Sequence, residues 1–513
     1  MTIESRIAEL GITLPEPAKA VANYVPFVQS GAVVHISGQL SNDASGGIKG
    51  TVGVDVTPEQ AAAAARLCGI NLLAQIKAAC DGDLSRVVRI VKLGGFVQAG
   101  PEFEAIPAVI NGCSDLMVEV FGDAGRHARS AVGVYKLPLG FAVEVDAVAW
   151  DACACPTGDP FVSYDFLHAC EASGSAAPHQ GWAPRHLALR DEDDAVLGVM
   201  PLYLKGHSQG EYVFDHSWAD AYERAGGRYY PKLLGAVPFT PATGPRFLNH
   251  PDTDAAAVRQ ALLQGALTLV ERLGVSSLHV NFPTEVEWTD MAQAGLLLRQ
   301  DIQFIWRNTD YRTFDDFLAA LSANRRKTIR RERRDAQAGL DIRILTGADI
   351  AEAHWDAFFA FYMDTGDRKW GRPYLTRDFF TRVGETMADR IALVMAFREE
   401  RPIAGALNFI GRDALYGRQW GALEDVPFLH FELCYYQAIE FAIARGLSRV
   451  EAGAQGEHKI ARGYLPSPVY SAHFIADPAL RDPVADYLRR EGPAVEAQRL
   501  EMTEELSPFK KEN

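Results

Sequence analysis

The sequence predicts an α+β protein assembled from more than one folding unit, and three observations predict it. Strand and helix signals alternate through the first 150 residues in the order strands, helix, strand, helix, two strands. The composition changes at Asp151–Asp159 (DACACPTGD), a run of small and turn-forming residues that reads as a boundary. Beyond it, one order of elements (a strand pair, a strand, a helix, a strand) occurs twice, once on each side of a basic helix, and suggests a duplicated α/β unit. At roughly 100–200 residues per domain, 513 residues suit about three domains.

In the first part, Ala32–Leu40 is an alternating β-branched strand. Thr57-Pro58-Glu59 opens a helix with an N-cap, a proline at the first helical position and an acid in the first turn; the helix runs to about Cys80, and Asp81-Gly82-Asp83 stops it. Val87–Phe96 reads as a strand and Glu104–Phe121 as a helix. Ser130–Tyr135 and Phe141–Trp150 read as a hairpin around Lys136-Leu-Pro-Leu-Gly140.

In the second part, His186–Arg190 and Ala195–Leu204 form a strand pair, Val258–Leu273 a helix and Ser277–Phe282 a strand. Phe314–Ala338 is one helix carrying the basic run. Ile391–Phe397 and Ile403–Ile410 pair, Leu415–Trp420 is a strand, Phe431–Arg445 a helix and Arg449–Ala452 a strand. Asp482–Glu505 is helical with a break at Gly492-Pro493, and the end at Phe509 frays.

With 48% apolar and 23% charged residues, the chain is of the folded, not the disordered, class. A net charge of −15 argues against general attraction to nucleic acid or anionic membrane and leaves only a local basic patch for either. The N-terminus lacks the apolar core of a signal peptide, and no stretch has the roughly 18 apolar residues of a membrane span. Seven scattered cysteines fit a reducing cytoplasm; Cys153-x-Cys155 is too tight for a metal knuckle, so no metal is expected.

Arg129 enters one predicted strand and Glu144 lies on its expected hairpin partner. The guanidinium fork suits a carboxylate, and a nearby carboxylate can activate water. The pair can bind and hydrolyse a small acid, or it can be a surface cross-strand ion pair. Tyr24-Val-Pro-Phe, His35-Ile-Ser37-Gly38-Gln39-Leu40, Arg129-Ser130-x-Val132 and Leu137-Pro138…Val143-Glu144-Val145-Asp146-Ala147 resemble the RidA/YjgF family over residues 5–150. The resemblance implies a chorismate-mutase-like unit, a trimer through residues 1–150 and no cofactor. Its active members hydrolyse imine and enamine acids to 2-oxo acids and ammonia. It implies Arg129 on the substrate carboxylate, Glu144 on the water, Tyr24 and Ser37 lining the pocket, and Gly38 admitting the ligand to the backbone. Ala131 stands where the active branch often has cysteine, and Val120–His127 marks a divergent branch. Cys68, Cys80 and Cys113 read as core residues.

The basic run Asn324–Asp335 packs seven cations into ten residues, with Arg326, Arg330, Arg333 and Arg334 on one face and Lys327 and Arg331 on the next. It reads either as a site for a phosphate, nucleotide or RNA backbone, or as a solvated face paired to Asp315, Asp316 and Glu332. Glu432 opens a helix and Glu451 ends a strand, and Gln455, Glu457, His458, Lys459 and Arg462 follow in a glycine-punctuated stretch suited to a polar site. A His–Glu neighbour pair can transfer protons; a hydrophilic loop is the other reading. These segments, with Pro160–Gly174 and Gly181–Leu187, resemble the FemAB-like, peptidoglycan-associated group of the GNAT superfamily over about Asp159–Asp477.

The resemblance implies tandem GNAT-like lobes; from their residue types and placement, Glu432, Glu451 and His458 are the expected catalytic residues and Arg326, Arg330, Arg331, Gln455, Lys459 and Arg462 the expected substrate-binding ones. Fem-type enzymes transfer an aminoacyl group from charged tRNA to a cell-wall precursor amine; ordinary GNAT proteins transfer acetyl from acetyl-CoA. The glycine-rich pyrophosphate loop has no good match at Asp425–Glu432, which weakens the case for acetyl-CoA.

The expected organisation is therefore 1–150, a linker 151–158, a first lobe 159–323, the basic helix 324–338, a second lobe 339–478 and a helical tail 479–513. The expected function is a RidA-like deaminase fused to an acyl- or aminoacyltransferase. One alternative makes the first part a ligand-sensing trimerisation module; another makes the second part a non-catalytic binding scaffold.

Overall fold

Thr57 caps the first long helix as its sequence foretells: its hydroxyl accepts from Gln60 N–H, and the Gln60 side chain accepts from Thr57 N–H. A computed structural model describes residues 3–17, 26–30, 33–43, 45–80, 82–84, 87, 90, 92–100, 103–134, 136–146, 153–154, 157–192, 196–369, 373–453 and 456–510. Tyr24 and Gln455 lie outside them, and of Glu144 only the backbone is described. The chain divides into two compact units, Met1–Ala152 with Arg190–Ala195, and Cys153–Leu189 with Val196–Asn513.

In the first unit, strands β1 (Phe27–Ser30) and β2 (Val33–Ile36) pair antiparallel. The strand expected over Ala32–Leu40 is thus broken at Ser37-Gly38 and resumes as β3 (Gln39–Leu40). Strands β4 (Lys92–Gln98), β5 (Ala128–Val134) and β6 (Val143–Asp146) complete a sheet of order β3-β6-β4-β5. Helices Pro58–Ala79 and Ile106–Phe121 bury Leu72, Ile110 and Leu116 with Leu93, Val97 and Val143 of that sheet. The helices approach closely at Gly112, where a Cβ would meet the Ala62 carbonyl at 1.9 Å. Cys68, Cys80 and Cys113 are buried, as read from the sequence.

The expected β5–β6 hairpin does not form. β4 lies between the two strands, parallel to β5 and antiparallel to β6. A parallel pair needs a crossover, which helix Ile106–Phe121 supplies between β4 and β5; β5 takes the edge and β6 pairs on the other side of β4.

The second unit continues with β7 (Trp182–Pro184), β8 (Leu187–Arg190), β9 (Val196–Met200), β10 (Tyr203–Lys205), β11 (Lys232–Gly235), β12 (Leu248–Asn249), β13 (Ser277–Asn281) and β14 (Leu297–Arg307). Then come β15 (Asp341–Leu345), β16 (Ile391–Arg398), β17 (Arg401–Ile410), β18 (Ala414–Ala422), β19 (Arg449–Glu451) and β20 (Leu465–Ile475). Eleven strands form one sheet of order β15-β16-β17-β18-β19-β14-β20-β13-β11-β10-β7; β12, β9 and β8 form a small separate one.

The repeated order of elements shows in the pairing. In each half a helix, Ala255–Leu273 or Leu429–Ala444, crosses between two parallel strands, β11 and β13 or β18 and β19. The halves also exchange strands: β14 pairs with β19 of the later half, and β20 pairs with β13 of the earlier one. One sheet therefore runs through both lobes.

Three local expectations change. The segment Phe314–Ala338 is two helices, Phe314–Ala320 and Ala323–Gln337, broken at Leu321-Ser322. The tail docks on that break, with Ser322 N–H donating to Pro508 O and Lys510 N–H to Ala320 O, so Phe509 is held where fraying was expected. The last helix runs unbroken over Pro478–Leu506 with Pro483 and Pro493 inside it. Its side chains fix it to β14, Arg299 bonding Glu491 and Gln300 bonding Glu496.

Candidate functional site

Arg129 is half-buried on β5, and its Nη1 donates to Asn111 Oδ1 at 2.6 Å and Ser114 Oγ at 3.1 Å, both on helix Ile106–Phe121. Neither acceptor is charged, so no carboxylate among the described residues neutralises the guanidinium. The structure does not bring Glu144 across a hairpin to meet it. Arg129 is the partner of Leu93 and Glu144 that of Phe96. Leu93 and Phe96 are an odd number of residues apart, so the two positions belong to opposite faces of the sheet. Ser37 and Gly38 sit at the break between β2 and β3, where Gln39 Nε2 donates to the Ser37 carbonyl.

In the second unit, the basic helix is turned differently from its sequence reading. Ile329, Glu332 and Ala336 are buried, and Arg333 points inward with them. Arg333 donates from Nε and Nη2 to Glu432, which also accepts from Gln337 and Gln437. Glu432 is fully buried and fully bonded, so it braces the helix and is not a catalytic base. Arg326 is half-buried on the Arg333 side. The outward row is Lys327, Arg330, Arg331 and Arg334, at helical spacings of three and four. Arg330 reaches Asp315 at 3.1 Å with both side chains exposed, a pair worth little in water. Lys327 and Arg331 meet no carboxylate among the described residues.

The motif after β19 is sorted in the same way. Arg462 is buried, donates to Glu332 and to the His458 carbonyl, and lies 3.4 Å over the Phe431 ring. Lys459 is buried, donates to Gly453 O at 2.9 Å, and is pushed down to about 8 by burial. Both hold the loop and neither reaches solvent, which corrects the substrate-binding role expected for them. Glu451 takes Arg449 at 2.9 Å on one oxygen, has the other unpartnered, and is pushed upward by burial. His458 alone of this stretch's expected catalytic residues is exposed. Its Nε2 lies 3.0 Å from Tyr435 Oη, and Gly456 leaves it room: a Cβ there would sit 2.5 Å from the imidazole.

Two cavities lie near the segment that carries this imidazole, and their walls are formed by its neighbours. One, of about 510 Å³, is walled by Trp420, Phe428, His430 and Phe431 with Glu424 and Asp425 at its side. The other, of about 260 Å³, is lined by Tyr212, Phe214, Phe282, Phe304, Asp301 and Glu457 among others. The His458 ring contacts His430 and Phe431 of the first, at 6.2 and 5.8 Å between centroids. Its neighbours Gly456 and Glu457 line the second. Sequence reasoning singled out Asp425–Glu432, part of the first cavity's wall, only for lacking a pyrophosphate loop, and missed the second set of walls, which comes from segments far apart in the chain; the left-handed φ of Tyr212 and Phe282 leaves no local sequence signal. Among the described residues no group of acidic, histidine and cysteine side chains could hold a metal, and no helix is long and apolar enough to cross a membrane.

Comparison with known proteins follows the two units. Residues 142–511 match the FemAB-like family model, described as peptidoglycan biosynthesis/recognition. Residues 4–147 match the YjgF/chorismate-mutase-like model, whose description also names an endoribonuclease. Protein TCP17 of Trypanosoma cruzi is 48% identical over 148 residues, 28% of this chain and 92% of that protein. The Agrobacterium tumefaciens protein Atu1372 is 50% identical over 28% of this chain and 91% of its own, with a TM-score of 0.27. The structure of FemX aligns with 64% of this chain and 95% of its own at 12% identity and a TM-score of 0.41.

Proposed function

The chain belongs to the FemAB-like family and carries a YjgF/RidA-like domain ahead of that region, and on this premise we propose that its second unit is an aminoacyltransferase acting on an amine. The observation that carries the reading is the exposed His458, whose ring packs against His430 and Phe431 of the larger cavity and whose chain neighbours Gly456 and Glu457 line the smaller; the reading takes the larger for the donor and the smaller for the acceptor. The acceptor nitrogen attacks the carbonyl of an aminoacyl ester. His458 accepts the proton the nitrogen loses as the amide bond forms. The ester C–O bond breaks, and the proton passes to the departing ribose oxygen. Arg462, through the His458 carbonyl, and Tyr435, through the ring, position the base.

Charged tRNA is favoured over acetyl-CoA as donor. No lysine or arginine lines the larger cavity among the described residues, where a CoA pyrophosphate would need cations or free backbone amides; its Glu424 is paired with Arg398 and Arg401, and Asp425 stands beside it. The outward row of Lys327, Arg330, Arg331 and Arg334 suits a phosphate backbone instead, and the same helix is tied through Arg333 and Glu432 to the elements that wall the donor cavity. The test is transfer of a labelled aminoacyl group from charged tRNA to a peptidoglycan-precursor amine by the full chain. Amide formation that falls with His458→Ala supports the reading. Equal transfer from acetyl-CoA with no retention of tRNA on filters overturns it.

For the first unit, Arg129, which meets no carboxylate among the described residues, supports capture of a small carboxylate, with hydrolysis of imine or enamine acids as its activity and a trimer as its assembly. Ammonia release from 2-aminoacrylate tests the hydrolysis; ligand binding without turnover favours the sensing module. Tyr24 keeps the role that the family resemblance gives it; Glu144, on the sheet face opposite Arg129, can share a substrate with it only across a subunit interface of the proposed trimer.

A further inference from the structure

We infer that Ser114, His127 and Arg129 of the first unit form a nucleophilic site that cleaves esters whose acyl group carries a carboxylate. The site shares Arg129 with the imine reading but does not rest on it, since its nucleophile is a side chain and not water.

The partners of His127 fix where the protons lie. Its Nδ1 stands 2.6 Å from Gly125 O, and a carbonyl only accepts, so Nδ1 carries the ring proton. Burial, and then the charge of Arg129, push the imidazole below the usual histidine value, which keeps it neutral near pH 7. Nε2 is then a bare acceptor, and the Ser114 hydroxyl, 3.1 Å away, donates to it. A hydroxyl, a base within reach and a third group that orients the base are the parts by which a serine is activated. The orienting carbonyl comes close because its residue is glycine: a Cβ on Gly125 would lie 2.0 Å from Met117 O.

Arg129 supplies charge on two sides. Its Nη1 donates to Ser114 Oγ at 3.1 Å and to Asn111 Oδ1 at 2.6 Å, so a cation adjoins the oxygen that turns negative as its proton leaves. Its Nε and Nη2 have no partner among the described residues, and they form the edge of a guanidinium that takes a carboxylate through two parallel bonds. A serine inside a helix ordinarily bonds a carbonyl one turn back. The partners of Ser114 Oγ are His127 and Arg129 instead. All three side chains are half-buried and Asn111 is exposed, so the group opens to solvent. The adjoining thiol, Cys113, is buried in the core and pushed up to about 12 by burial, so it does not compete as nucleophile.

Ser114 Oγ attacks the ester carbonyl, and its proton passes to His127 Nε2. The bond from the acyl carbon to the alcohol oxygen breaks, and the alcohol leaves with that proton. Water then attacks the acyl-serine and gives its proton to His127; the acid departs and Ser114 Oγ takes the proton back. One water is consumed, and one acid and one alcohol are formed. The carboxylate of the acyl group rests on Nε and Nη2 of Arg129, which selects acidic acyl groups over neutral ones.

Two measurements on the full chain test this. The first is treatment with phenylmethylsulfonyl fluoride followed by peptide mass mapping, which needs no variant. A sulfonyl adduct is expected on Ser114, and His127→Asn is expected to slow its formation about a hundredfold or more. The second is hydrolysis of the mono-4-nitrophenyl ester of adipic acid against 4-nitrophenyl hexanoate, each corrected for its spontaneous rate. The acidic ester is expected to have a kcat/KM about tenfold higher, and Arg129→Gln to remove that preference. Ser114→Ala is expected to abolish turnover of both. An adduct missing from Ser114, labelling untouched by His127→Asn, or turnover that survives Ser114→Ala overturns the inference. Equal kcat/KM for the two esters overturns the acidic substrate class. Labelling and ester hydrolysis of the expected pattern, with no ammonia from 2-aminoacrylate, sustain this site and overturn only the imine reading.

Discussion

The two β–helix–β crossovers of the second unit share one strand pattern and use their polar residues oppositely. Around β11 and β13 the polar groups close on one another. Lys232 is fully buried and donates to Ser208 at 2.7 Å, Glu211 at 2.9 Å and Asp215 at 2.5 Å. His279 and His473 meet across β13 and β20 through Nδ1 at 2.6 Å, and burial holds both rings neutral. Around β18 and β19, Glu332 pairs with Arg462 and Glu432 with Arg333 in the same way, but His458 stays exposed beside them, near the two cavities. Buried charges paired with one another make structure; an exposed imidazole held at the edge of such a network can do chemistry.

That contrast breaks most sharply at His458. His458→Ala is expected to lower transfer by about 10²–10⁴-fold, the usual worth of a general base, while thermal unfolding changes little because the ring is exposed. A variant that loses both activity and folded structure would place His458 with the closed network instead. The converse substitution is Lys232→Met. It leaves Glu211 and Asp215 buried without their cation and is expected to cost about 3–5 kcal/mol in urea unfolding. A loss under about 1 kcal/mol would mean that the closed network contributes little to holding the lobe.

The basic helix sharpens the comparison at smaller scale, since one helix carries both kinds of residue. Lys327→Glu with Arg331→Glu alters only the outward row. It is expected to weaken tRNA retention and to reduce the slope of log affinity against log salt by about 0.7–0.9 per cation removed, with stability intact. Arg333→Ala alters the inward side and is expected to destabilise the lobe, because Glu432 would lose its buried cation.

What the sequence could tell follows the range of each interaction. Thr57 and Gln60 are three residues apart, and their reciprocal cap was legible. The stretch around His458 stood out as polar and glycine-punctuated, but the burial of Lys459 and Arg462 within it was not legible. Arg129 and Glu144 were misplaced because the strand between them, β4, arrives from thirty-odd residues earlier, and a hairpin-like spacing does not reveal an inserted strand. The inward turn of Arg333 was invisible for a similar reason: seven cations in ten residues look alike until Glu432, about a hundred residues on, selects one. Tyr212, Asp301 and Glu457 are brought to one cavity by the strand exchange of β14 and β20, which no local periodicity encodes.

The smallest expected effect lies at Lys459, which stands between the two kinds of residue because it is buried yet has only a carbonyl for a partner. Burial lowers its folded value to about 8 from 10.5. Between those values the unfolded chain holds a proton that the folded chain does not, so this lysine makes stability climb as pH rises from about 8 to about 10.5. Lys205, also lowered by burial, adds a climb of the same sign from about 7. Lys459→Met removes the first contribution and leaves the second. Urea midpoints at pH 7 and pH 10 should therefore differ less in the variant than in the parent, and the variant should gain most at pH 7. If the two proteins keep the same difference, Lys459 remains charged in the fold, and the carbonyl of Gly453 must then stabilise it more than burial penalises it.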